Sequence, residues 1–85
     1  MNSLELVEIV LVSNIPQIDY SERHKERIVL YLYSGRYNMT ITIHDIDDLT
    51  VRYGNSSLIS YKSISSVICE VKDYVERRRR WIKLS

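Results

Sequence analysis

The chain has 85 residues, 45% of them hydrophobic and 27% charged, with a net charge of +1, 2 Gly, 1 Pro and 1 Cys. That bounds it to a single domain and excludes disordered, low-complexity and collagen-like classes. No apolar run approaches the roughly 18–20 residues that cross a bilayer, and a lone cysteine makes no internal disulfide, so the expectation is a cytoplasmic protein in a reducing compartment, away from membranes.

Residues 4–12 (LELVEIVLV) read as a strand that is apolar on both faces toward its C-terminal half. Glu5 and Glu8 interrupt the run and no basic residue precedes it, so it does not read as a secretory leader. Residues 13–25, with Asn14, Pro16, Asp19 and Ser21, read as a loop in which Ser21 could cap a short helix over 22–27.

Residues 26–33 and 38–44 flank Ser34, Gly35, Arg36 and Tyr37, the pattern of a β-hairpin. The second strand alternates cleanly, with Met39, Ile41 and Ile43 on one side and Thr40, Thr42 and His44 on the other. The first has no polar side: Ile28, Leu30 and Leu32 oppose Val29, Tyr31 and Tyr33. A turn at 44–48, a strand at 49–53, a turn at Gly54 and Asn55, and a short strand at 57–61 follow.

From Ser63 the period changes. Ile64, Val67, Ile68, Val71, Tyr74 and Val75 recur at spacings of three and four, which predicts an amphipathic helix over 63–82. The β-branched content of 58–71 also permits continued strand. The fold expected is α+β: an antiparallel sheet of four to five strands with one C-terminal amphipathic helix packed on one face.

Charge is unevenly spread. Residues 1–22 carry Glu5, Glu8, Asp19 and Glu22 and no base. Residues 72–85 carry Lys72, Arg77, Arg78, Arg79, Arg80 and Lys83 against Asp73 and Glu76. With about 100° per residue, the four arginines ring the helix, and Arg78 falls inside the apolar stripe. Arginine offers a bidentate fork to phosphate and Trp81 a stacking surface. Arg77, Arg78, Arg79, Arg80, Trp81 and Lys83 are therefore the candidate nucleic-acid or anion-binding residues. A solvated helix end matched to its dipole is the plain alternative.

One helix covers one sheet face, which leaves Val29, Tyr31 and Tyr33 as candidate interface residues. The partner expected is a second copy, as a homodimer or higher oligomer; an unlike protein is the alternative. A stacking sheet for DNA or RNA, built from Tyr31, Tyr33, Tyr53 and Tyr61 with Arg27, Arg36, Arg52 and Lys62, is a further possibility.

His44, Asp45, Asp47 and Asp48 gather an imidazole and three carboxylates, but aspartate is also a preferred turn residue. Cys69 has no base at a suggestive spacing. No phosphate loop, paired-cysteine zinc spacing or nucleophile elbow occurs. The expectation is a non-enzymatic protein without catalytic residues, metal or cofactor. The scarcity of Ala, Gly and Pro and the abundance of Ile and Tyr fit an A/T-rich genome, such as those of some archaea, viruses or plasmids, whereas only four Lys and no Phe argue the other way.

Overall fold

Residues 4–12 form a helix, not the strand their apolar run suggests. The computed structural model describes residues 2–33 and 37–84, with side chains through Arg78. It begins with α1 (Ser3–Asn14). Asn2 caps this helix: its Oδ1 accepts from the Glu5 amide at 2.9 Å, and Glu5 places a negative charge in the first turn. At the other end the Ile15 amide bonds to the Leu11 carbonyl at 2.8 Å before Pro16 turns the chain. Val7 and Leu11 recur four apart on the inward face and are 1% and 0% exposed. Burial of that stripe overrides the β-branched character of the segment.

Five strands follow in sequential antiparallel order: β1 (Tyr20–Arg23), β2 (Ile28–Leu32), β3 (Met39–Asp45), β4 (Asp48–Tyr53) and β5 (Ile59–Tyr61). β2 to β5 answer the strands expected at 26–33, 38–44, 49–53 and 57–61. β1 lies in the stretch expected to be loop, which also removes the short helix considered for 22–27. Residues 34–36 of the expected hairpin loop lie outside the described residues. Gly54, after β4, adopts φ +57°, and its amide bonds to the Asn38 carbonyl at 2.9 Å. That backbone region strains any residue with a Cβ.

The chain ends in α2 (Ile64–Leu84). Ser63 caps it, its hydroxyl accepting from the Ser66 amide at 3.2 Å. Residues beyond Tyr61 therefore do not continue as strand. Val67, Val71 and Val75, four apart, enter the core.

Both helices lie on the same side of the sheet. α1 packs over β2 and β3, α2 over β4 and β5, and the helices touch each other. The register places Ile28 opposite Ile43, Leu30 opposite Ile41 and Leu32 opposite Met39. It then places Ile43 opposite Leu49 and Ile41 opposite Val51. All eight are buried with the helix residues in one cluster. Each large aliphatic side chain so placed contributes about 1.5–3 kcal/mol. The fold is thus an α+β arrangement with two helices on one face, where a single C-terminal helix was expected. No helix among the described residues is long and apolar enough to cross a membrane.

Candidate polyanion-binding end and the open sheet face

α2 continues well past the last of its described core side chains. Its 21 residues span about 31 Å at 1.5 Å per residue. Val75 is the last of its described side chains in the core cluster. The backbone stays helical to Leu84, roughly 13 Å farther. The molecule accordingly measures 43 Å along its long axis against 22 and 21 Å across.

The first two arginines of the basic quartet have defined surroundings. Arg77 meets Asp73 at 3.2 Å, one turn back, and Glu70 at 3.5 Å, two turns back. Arg78, placed by the helical wheel within the apolar stripe, lies with its guanidinium carbon 5.9 Å from the centre of the Tyr74 ring. Tyr74, one turn back on that stripe, offers the cation a π face. The side chains of Arg79, Arg80, Trp81 and Lys83 lie outside those described; their backbone is helical.

An aromatic cluster seats this part of α2. Tyr74 packs at 5.0 Å from Tyr53 and 6.1 Å from Tyr37, and its hydroxyl accepts from the Asn38 amide at 3.2 Å. The Tyr53 hydroxyl donates to Glu70. Burial, then the hydrogen bond to Glu70, push the Tyr53 phenol above its usual range. Burial and the Glu70 charge act the same way on Tyr61. Tyr53 and Tyr61 thus belong to the helix-covered side, and a stacking surface that unites them with Tyr31 and Tyr33 does not form.

Among the described residues no helix covers the opposite sheet face. Tyr20 replaces the missing aromatics there: its ring stacks on Tyr31 at 4.6 Å, and Tyr31 meets Tyr33 at 5.2 Å. Tyr20 and Tyr33 are 51% and 48% exposed. The Tyr31 hydroxyl donates to Glu22. That bond, with some desolvation, pushes the Tyr31 phenol up to about 12. Val29 shares this face and is 8% exposed, so little of its surface is open to solvent. The register adds Thr40, Thr42, Thr50 and Arg52 to the same face. Sequence reading missed Tyr20 because β1 has no apolar alternation.

The remaining candidates resolve into turns and surface. His44 bonds through Nε2 to the Thr50 hydroxyl at 3.2 Å, and Asp45 Oδ1 accepts from the Ile46 amide at 2.7 Å in the β3–β4 turn. No group of three or more His, Cys, Asp or Glu residues placed to hold a metal ion occurs among the described residues. Cys69 is exposed and unbonded to another cysteine.

One further cluster was not foreseen. Glu8 of α1 is 5% exposed and faces β1. Its Oε1 accepts from Arg23 Nε at 2.9 Å, and its Oε2 from the Ser21 hydroxyl. Beside it, Ile9, Val12, Ile18 and Tyr20 help line a groove of about 360 Å³ between α1 and β1.

No protein-family model, curated protein or solved structure matches this chain.

Proposed function

We propose that this protein is a non-enzymatic binder of polyanions, nucleic acid foremost, through the basic C-terminal end of α2. The carrying observation is that α2 stays helical nine residues past Val75, the last of its described side chains in the core, and carries the arginine quartet on that stretch. Between residues 70 and 84, Lys72, Arg77, Arg78, Arg79, Arg80 and Lys83 face only Glu70, Asp73 and Glu76. Helix-dipole matching absorbs part of that surplus. Arginines spread around a projecting helix also suit the phosphates of a strand wrapped against it, and Trp81 adds a stacking group.

Fluorescence anisotropy with labelled DNA and RNA oligonucleotides at low salt tests this reading. Wild-type protein should bind, and R77A/R78A/R79A/R80A should lose at least ten-fold in affinity. Alanine favours helix, so α2 persists in the variant. Absence of binding by the wild type, or equal binding by the variant, overturns the proposal.

A second reading rests on the open sheet face. Tyr20, Tyr31 and Tyr33 form a continuous aromatic row with large exposed area. Tyrosine is favoured at protein interfaces because it pairs an apolar body with a polar tip. An unlike protein docking there would be lost on Tyr31→Asp or Tyr33→Asp with the fold retained; capture unchanged by both substitutions sinks this reading.

A further inference from the structure

Tyr74 and Arg78 stand four residues apart on α2, the spacing that brings two helical side chains together on one face. The Arg78 guanidinium carbon lies over the Tyr74 ring, 5.9 Å from its centre. That ring is fixed by three neighbours. It packs 5.0 Å from Tyr53 and 6.1 Å from Tyr37, and its hydroxyl accepts from the Asn38 amide at 3.2 Å. Asn38 is itself held, its carbonyl accepting from the Gly54 amide at 2.9 Å. An arginine gives up rotamer freedom when it grips a ligand, and one seated on a fixed ring has surrendered part of that freedom beforehand. The ring meets the face of the cation, while the N–H fork that takes phosphate lies in the guanidinium plane.

Arg77 is placed differently. Its Nε lies 3.2 Å from Asp73 and its Nη2 3.5 Å from Glu70. Those are N–H groups that a phosphate would take, and the two carboxylates repel an incoming anion. Tyr74 holds its arginine without supplying a negative charge. We propose that Tyr74 is a positioning residue for polyanion binding, which keeps Arg78 ready as a phosphate ligand ahead of Arg77. The assignment rests on the polyanion reading above and names the side chain that prepares the site. The hydroxyl of Tyr74 serves to anchor the ring to Asn38, and the ring itself does the positioning.

A double-mutant cycle on oligonucleotide affinity, read by anisotropy at low salt, tests the proposal. Arg78→Ala should weaken binding more than Arg77→Ala. Tyr74→Leu should weaken it about two- to five-fold, the worth of an exposed cation–π contact, whereas Tyr74→Phe keeps the ring and should bind as the wild type does. Y74L/R78A should bind no more weakly than R78A, because the ring acts through that arginine; a ring with a merely structural role gives losses that add. In NMR spectra of the free wild type, the Arg78 Hδ resonances should lie upfield of free arginine through the Tyr74 ring current, and stay there in Y74F. Should Y74L fail to fold, the wild-type spectrum still decides: Arg78 Hδ at the free-arginine position overturns the proposal. Additive losses in the cycle, or R78A binding as tightly as R77A, overturn it too. A wild type that binds no oligonucleotide sinks the polyanion reading and this proposal together; a wild type that binds, matched by a folded Y74L, sinks this proposal alone.

Discussion

The carboxylate of Glu8 is clasped by the guanidinium of Arg23, 2.9 Å away, and together with the Ser21 hydroxyl this pair ties the first helix to the first strand. The two partners are unequal: the Glu8 side chain is 6% exposed and that of Arg23 is 59%. Removing Arg23 leaves a buried carboxylate with the Ser21 hydroxyl, whereas removing Glu8 leaves an arginine that water can solvate. Arg23→Ala should therefore cost about 1–3 kcal/mol, and Glu8→Leu distinctly less, because loss of one partner of a buried pair is dearer than its apolar replacement. Urea unfolding of both variants measures the difference; equal losses would show that the pair is not asymmetric in energy.

The helical register of α1 has its own test. Leu11 is 0% exposed and Leu6 is 54% exposed. Leu11→Ala should destabilise by about 2–5 kcal/mol, as for other buried leucines. Asn2→Ala should cost about 0.5–2 kcal/mol through loss of the cap on the Glu5 amide. A residue 11 that tolerates alanine without loss in urea melts would argue against its place in the core.

Alkaline titration probes the open face. An unfolded tyrosine ionises near pH 10, whereas Tyr31 in the fold is held up to about 12, chiefly by donating to Glu22. The folded state thus keeps a proton that the unfolded state releases between these values. Its contribution is complete below about pH 10 and is lost as the pH climbs toward 12. Glu22→Ala should move one tyrosinate absorbance step back toward pH 10. An unshifted titration curve would mean that the contact does not govern Tyr31.

The charges around Arg77 yield a gain-of-binding test. Asp73 and Glu70 lie within 3.2 and 3.5 Å of its guanidinium and compete with any external phosphate. D73N/E70Q should release Arg77 and tighten oligonucleotide binding several-fold at low salt. Weaker or unchanged binding, read by anisotropy, would remove Arg77 from the binding surface.

Much of the sheet was legible because its strands face two different media. Met39, Ile41 and Ile43 alternate with Thr40 and Thr42, and the buried and partly exposed positions follow that alternation. α2 was legible from its valines at four-residue spacing. α1 was not, because aliphatic residues occupy both its faces, and an outward stripe of Leu6, Ile9 and Val10 erases the helical period. The cap Asn2, three residues ahead of Glu5, was the local clue to its start. β1 escaped for the opposite reason. Its inward positions are Ser21 and Arg23, polar because they face Glu8 rather than an aliphatic core. A partner far off in sequence sets their identity, so no local period can report it. The arginine quartet was visible at once, but that Arg77 leans on Asp73 and Arg78 on Tyr74 needed the helix in place.

The salt dependence of oligonucleotide affinity discriminates best between a phosphate-binding helix end and a merely solvated one. Each phosphate contact adds about 0.7–0.9 to the slope of log K against log salt concentration. Wild-type protein should show a steep negative slope that flattens stepwise as the arginines at 77, 78, 79 and 80 are replaced by alanine. A slope near zero, or one that the four replacements leave intact, would contradict polyanion binding by α2.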